Sequence, residues 1–305
     1  MLKKNRVGKS NIYVSVLSLG CMSLGTDEHR AKEIIDIALD KGINHLDTAD
    51  LYDFGKNEQI IGEAIKRRRD QVILTTKVGN HFDRSGQKKD WFWDPSKRYI
   101  ESALKESLQR LQTDYIDIYL LHGGTIEDPI DEVIETFERM KEAGYIRTYG
   151  ISSIRPNVMK EYVRKSNIDV VMMQYNMLDR RPEEWLSYLS EHDISVFARG
   201  PLAKGMLTEQ ALTYISEKGA DGYLEYDFEQ LKQTILRLQT MNPSLSKLAF
   251  QYLLYHSTVA SIVFGASSKD QLIENIHSYS EQLMAQEIYE QIQHITKFFP
   301  YTMHR

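Results

Sequence analysis

The sequence predicts an α/β fold: a closed (β/α)8 TIM barrel of parallel strands with an N-terminal hairpin at the barrel bottom. Three observations carry that prediction. Short apolar runs alternate with helix-periodic segments along nearly the whole chain. The runs are continuously apolar, as in strands covered on both faces. No Pro- or Gly-rich linker and no break in composition divides the 305 residues, so one domain spanning 1–305 is expected.

Taken in order, Lys4–Tyr13 precedes the first strand and is expected to form the bottom hairpin. The strand candidates are VLSLG (16–20), INHLDT (43–48), VILTTK (72–77), IDIYLLH (116–122), IRTYGIS (146–152), DVVMMQY (169–175), ISVFAR (194–199) and SIVFG (261–265). Between them, apolar residues recur at the 3–4 spacing of one-sided helices. Ile60, Ile61, Ala64 and Ile65 share a face, as do Ile100, Ala103, Leu104, Ser107, Leu108 and Leu111, and then Ile130, Val133, Ile134, Phe137 and Met140. Ser96 and Pro156 mark helix starts, and Gly144 marks a left-handed helix end after Ala143. Eight βα units in an unbroken series favour a closed barrel over an open doubly wound sheet. No G-x-G-x-x-G follows the first strand, which removes the main support for a Rossmann domain.

Composition narrows the function classes. With 42% hydrophobic and 27% charged residues the chain reads as globular. A net charge of −5 argues against a general nucleic-acid or acidic-membrane partner, and KRRR at 66–69 reads as a solvated helix end. One cysteine, Cys21, excludes an intrachain disulfide and a Cys-rich zinc site, and reads as structural. No signal peptide or membrane-spanning run is visible, so a reducing, cytoplasmic setting is expected. Nothing in the sequence sets an oligomeric state.

In such a barrel the active site lies at the C-terminal ends of the strands. Those ends carry Asp47, Lys77, His122, Ser152 with Ser153, Gln174, Arg199 and Gly265. A lysine ending a buried strand needs a carboxylate to offset its desolvation, and Asp47 on the neighbouring strand can supply it. That pair alone could be a structural bridge. Tyr52, five residues after Asp47, suggests more. Phenols lose their proton near pH 10, and an adjacent ammonium favours the phenolate, which turns a loop tyrosine into a usable proton donor. His122 reads either as a packing residue or as an N–H donor that orients a carbonyl oxygen. Asp47 and His122 could also be two ligands of a metal-dependent hydrolase, but Lys77 between them is a poor neighbour for a cation, and no metal is expected.

At this point the residues resemble the aldo-keto reductases. GINHLDTADLYDFGKNEQIIG (42–62) is similar to the family's first motif, and ALKESLQRLQTDYIDIYLLH (103–122) to its second. ILTTKVG carries the family lysine, and GISS, QYN, GPLAKGML and FGASSKDQLIENI follow in the family's order over residues 1–280 or so. The resemblance implies reduction of aldehydes and ketones, with Tyr52 as general acid, Lys77 and Asp47 as its tuning pair, and His122 orienting the carbonyl. It implies NADP(H), with NAD(H) as the alternative, laid across the barrel mouth. Ser152 and Gln174 would hold the carboxamide, with Ser153 as a further candidate; Met22 is expected to meet the cofactor and, with Ser23 and Tyr52, to form another wall of the substrate pocket. Leu202 and Gly205 would lie in the loop over the pyrophosphate. Gly265, Ser267, Lys269, Gln271, Glu274 and Asn275 would meet the adenosine end.

Two positions depart from the family pattern. Arg199 stands where many relatives carry an aromatic residue against the nicotinamide; it could contact cofactor, close a loop or bind an anionic group. The basic pair that some branches use on the 2′-phosphate is replaced by Gly265 and Gln271, leaving Lys269 as the nearest cation. The partner implied is a small-molecule carbonyl compound. Its pocket wall is sought in the long loop Val78–Pro95, where Trp91, Phe92 and Trp93 cluster, with Trp93 the foremost candidate; the alternative is a lid packed on a neighbouring loop. The segment 206–228, with Tyr223, Tyr226 and Phe228, is expected to fold over the cofactor. A nucleotide-binding accessory protein on the same fold is the alternative function.

Overall fold

The computed structural model describes residues 2–82 and 90–305. Eight parallel strands close a barrel: Leu17–Gly20, His45–Asp47, Ile73–Val78, Ile116–Leu121, Ile146–Ser152, Val170–Gln174, Ser195–Arg199 and Val259–Gly265. Each pairs with the next in chain order, and the eighth closes on the first through Ile262–Leu17 to Gly265–Gly20. These are the eight runs expected from the sequence, shifted by no more than about two residues at any end, within the usual uncertainty of element boundaries.

Helices follow the strands on the outside. Lys56–Ile65, Lys97–Leu111 and Ile130–Glu142 bury the faces that the spacing foretold, with Leu108 and Ile134 partly covered at their edges. Ser96 accepts from the Tyr99 N–H as an N-cap, Pro156 opens the helix Pro156–Lys165, and Gly144 takes φ +79° after the helix ending at Glu142. No helix among the described residues is long and apolar enough to cross a membrane.

The N-terminal hairpin pairs Lys4–Arg6 with Tyr13–Ser15. It sits against the starting ends of the strands: Lys9 N–H donates to Asp169, Asn5 to the Ala260 carbonyl, and Ser15 exchanges hydrogen bonds with Asn44. Val7, Ile12 and Val14 enter the barrel and pack with Ile118, Leu120, Val170, Met172, Phe197 and Val263. A second apolar layer, between barrel and helices, takes the alternate residues, among them Tyr119, Leu121, Val171 and Met173.

This period-2 division positions the site. Counting upward by twos from the inward-facing Ile118, Leu120, Val170, Met172, Phe197 and Val263 reaches His122, Gln174, Arg199 and Gly265. The registers Asp47–Thr75 and Lys77–Leu120 bring Asp47 and Lys77 to the same side. The strand parity that makes the core therefore also sends the polar strand ends into the mouth.

One element was not foreseen. Within the loop Val78–Pro95, Asn80–Phe82 pairs antiparallel with Trp91–Trp93. Neither strand alternates: Trp91–Trp93 is three aromatics in a row and Asn80–Phe82 is polar at two of its three positions, so neither reads as a strand in the sequence. Residues 83–89 of that loop lie outside the described residues.

Candidate active site

The second and third strands bring together the first group of expected residues. Both carboxylate oxygens of Asp47 lie 2.8 Å from the Lys77 Nζ. The same ammonium donates to the Thr48 carbonyl at 2.7 Å and to the Tyr52 hydroxyl at 3.2 Å. An ammonium has three N–H donors, and all three are engaged. Because the Tyr52 oxygen accepts from Lys77, the phenol's own proton remains free to be given to something else.

The electrostatics follow from burial. Asp47 and Lys77 are only 4% and 1% exposed. Burial raises the Asp47 carboxyl above its ordinary value, against the opposing pull of the Lys77 ammonium. For Lys77 burial acts downward, but Asp47 and Tyr52 outweigh it and hold the ammonium above its usual range. His122 hydrogen-bonds through its backbone to the Val78 carbonyl, and its ring meets the Tyr52 ring edge-on at 5.9 Å. Burial, aided by the Lys77 and Arg199 charges, pulls the His122 pKa from 6.5 down to about 3. Its ring is therefore neutral near pH 7. The buried Nδ1 has no hydrogen-bond partner among the described residues.

Sequence reasoning missed how the Tyr52 loop is held. The Thr48 hydroxyl donates to Asn57, whose amide donates to the Cys21 carbonyl at 2.9 Å, tying the loop after the first strand to the loop that carries Tyr52. The available signal was the polar pair Asn57 and Glu58, which stands on the helix's otherwise apolar buried face. Cys21 is wholly buried, and burial pushes its thiol pKa up, consistent with a structural residue.

The remaining strand ends form the rest of the rim. Ser152 closes the fifth strand, and Met172 beside it is in register. Gln174 and Arg199 are cross-strand partners, with Arg199 Nη1 donating to Gln174 Oε1 at 3.1 Å. The other end of Gln174 donates to Asp179 at 3.0 Å and to the Tyr223 hydroxyl. Arg181 neutralises Asp179 through two hydrogen bonds of 2.7 Å, so the exposed Arg199 has an amide, not a carboxylate, as its partner among the described residues. Of the segment 206–228, Tyr223 reaches Gln174, while Tyr226 is buried and accepts from the Lys297 N–H.

Met22 is 65% exposed in a short turn after the first strand. Leu202 and Gly205 flank the turn after the seventh strand. Around the eighth, Ser267 donates through N–H and hydroxyl to Gln271, and the buried Asn275 donates to the Gly265 carbonyl at 3.3 Å. Lys269 reaches Glu33 at 3.5 Å, and Glu274 is exposed. In the hairpin, Trp93 donates to Asp128 at 2.9 Å and its ring covers Gly79 and Gly123, next to His122. Trp91 and Phe92 are exposed instead. Among the described residues no group of three or more His, Cys, Asp or Glu side chains is arranged to hold a metal ion.

A family model described as the aldo/keto reductase family matches residues 16–297. The uncharacterized oxidoreductase YqkF of Bacillus subtilis is 53% identical over the full length of both chains. The NADH-specific methylglyoxal reductase of Escherichia coli is 29% identical over 90% of this chain and 93% of its own. Among solved structures, the holo form of the aldo-keto reductase AKR11C1 from Bacillus halodurans is 52% identical, covers both chains completely and superposes with a TM-score of 0.95.

Proposed function

This chain belongs to the aldo/keto reductase family, and from that premise we propose that it is an NADPH-dependent reductase of aldehydes and ketones in which Tyr52 is the general acid. The observation that carries the reading is the three-way engagement of the Lys77 ammonium with Asp47, Thr48 and the Tyr52 hydroxyl.

The donor set at the rim suits a dinucleotide. Exposed Arg199 has no carboxylate partner among the described residues, and exposed Lys269 pairs with Glu33 at 3.5 Å; Gln174 and Asn275 offer amides, Ser152 and Ser267 hydroxyls. Ser152 and Gln174 would hold the carboxamide, Met22, Arg199, Leu202 and Gly205 the central part, and Gly265, Ser267, Lys269, Gln271, Glu274 and Asn275 the adenosine end. When bound, the cofactor supplies the hydride. NADP(H) is proposed over NAD(H) by family, with Lys269 as the cation for a 2′-phosphate; the NADH-specific Escherichia coli relative keeps NAD(H) as the alternative.

Tyr52 gives its proton to the substrate oxygen, and Lys77, hydrogen-bonded to the phenol oxygen, stabilises the phenolate that results. Asp47 keeps Lys77 charged and aimed. His122, neutral, offers a ring N–H to the same substrate oxygen and fixes its direction. Trp93, resting on Gly123, would form the substrate wall nearest His122. A cytoplasmic setting is proposed with this activity, in keeping with the single buried Cys21.

The test is Tyr52→Phe, followed by cofactor titration and an aldehyde panel. The variant is expected to bind NADPH like the parent, read by fluorescence, and to lose nearly all turnover. Normal turnover would refute the mechanism, and parallel titration with NADH decides the cofactor.

A further inference from the structure

Immediately after Tyr52 the backbone turns left-handed three times. Asp53, Phe54 and Gly55 have φ of 49°, 53° and 88°. Glycine adopts this region freely and aspartate tolerates it, but for phenylalanine it is strained. Such strain persists only where the surroundings over-determine it, and it gathers at functional sites.

What determines it lies behind the third barrel strand. Arg110, from the helix Lys97–Leu111, passes under the turn, so that a Cβ on Gly55 would come within 2.9 Å of its Cδ. The Arg110 Nε donates to Glu58 Oε2 at 2.7 Å, and its Nη2 donates to the Ser107 hydroxyl at 3.2 Å. Glu58 is wholly buried at the start of the helix Lys56–Ile65, and its other oxygen accepts from the Thr76 hydroxyl at 2.6 Å. Thr76 is the residue before Lys77, and alternation sends its side chain outward where Lys77 points in. From the other side, the Asp50 N–H donates to the Lys77 carbonyl at 3.2 Å, and Phe54 rests edge-on against Phe82. One buried carboxylate thus joins the turn that follows Tyr52 to the residue that precedes Lys77.

As a source of stability this pair is a poor choice, since desolvating two charges cancels most of their attraction. As a clamp it is effective: Glu58 is satisfied by Arg110 and Thr76 together in one arrangement. We propose that the Arg110–Glu58 pair is a positioning device for Tyr52, fixing the turn 53–55 against Thr76 so that the phenol oxygen stays 3.2 Å from the Lys77 ammonium. The inference rests on Tyr52 being the proton donor.

The test separates positioning from stability. Glu58→Gln keeps an acceptor for Thr76 and removes the charge, Arg110→Lys keeps the charge, and Thr76→Val cuts the link from the strand side without unpairing an ion. The double variant Glu58→Gln/Arg110→Met removes both charges of the pair together and is expected to fold with a Tm near the parent's. For it, kcat with an aldehyde should fall about 100-fold, the scale of an ångström's misplacement. NADPH affinity of the protein, read by fluorescence, should stay within about twofold, because the pair lies away from strands five to eight. Arg110→Lys should recover about tenfold of the kcat lost in Arg110→Met, and Thr76→Val should lower kcat without altering NADPH affinity. A double variant that keeps kcat within about threefold of the parent, assayed well below its Tm, overturns the inference. So does a loss confined to KM or cofactor affinity. Turnover surviving Tyr52→Phe refutes the proton-donor reading itself, a different result from a different variant.

Discussion

Lowering the pH from 7 to 5, with His45 in place and again with His45→Gln, isolates the contribution of one buried ring to the fold. His45 is completely buried two residues below Asp47. Its Nδ1 lies 2.6 Å from the Ser18 hydroxyl and its Nε2 2.7 Å from the Thr75 hydroxyl, while Phe197 covers its face at 4.9 Å. Burial, with the Lys77 charge adding to it, brings its pKa from 6.5 to about 3. The folded protein therefore keeps the ring neutral where the unfolded chain protonates it. A depressed folded pKa contributes stability that is present above pH 6.5 and is lost as pH falls toward 3. The slope approaches about 1.4 kcal/mol per pH unit inside that window, and integration from pH 7 to pH 5 gives about 2 kcal/mol. Glutamine can keep a hydrogen bond on this site and does not titrate. Urea unfolding followed by circular dichroism at half-unit pH steps should show the parent losing about 2 kcal/mol more than His45→Gln over that range. His122 and the carboxylates are common to both proteins and cancel in the difference. Parallel stability curves would refute the reasoning, because they would mean that His45 titrates alike in the folded and unfolded chain.

Lys77→Met leaves the Asp47 carboxylate buried without its partner and should cost about 3–5 kcal/mol in urea unfolding, together with nearly all turnover. Adding Asp47→Asn should restore most of that stability and none of the turnover; recovered turnover would make the pair purely structural. Gly150→Ala should destabilise the barrel by about 1–3 kcal/mol or more, because its Cβ would fall 2.0 Å from the Val170 carbonyl oxygen on the neighbouring strand. An unfolding midpoint equal to the parent's would mean that the fifth and sixth strands can part more readily than the register suggests.

The barrel was legible because its two signals are local. Strand runs and helix faces are written in spacings of two and three to four residues, and eight repeats of the same alternation leave few other architectures. The candidate site was legible at the same level. Asp47, Lys77 and His122 are each the polar end of an apolar strand, and closure brings strand ends into one mouth whatever the details of packing. Gln174 and Arg199 were visible for the same reason, although their mutual hydrogen bond was not. That bond depends on the register between the sixth and seventh strands, which no single run specifies.

What escaped the sequence depends on contacts between distant segments or on backbone conformations without a residue signature. Gly55 announces a turn, but nothing about Asp53 or Phe54 says that they join it in the left-handed region. Glu58 shows in the sequence only as a polar residue on an apolar helix face, and its partner Arg110 stands 52 positions away. The Thr48 carbonyl that completes the ammonium's coordination is backbone, and so has no residue signature. Trp93 was visible as an aromatic, yet its seat on Gly79 and Gly123 follows from a hairpin whose strands show no alternation. The two kinds of information meet in the Lys77–Tyr52 distance. Strand parity alone brings Lys77 into the mouth, whereas the 3.2 Å separation from Tyr52 also needs the turn, the Glu58 link and the Asn57 tether. A sequence can therefore put forward the proposed acid and its partner lysine, while the spacing between them is a property of the folded chain.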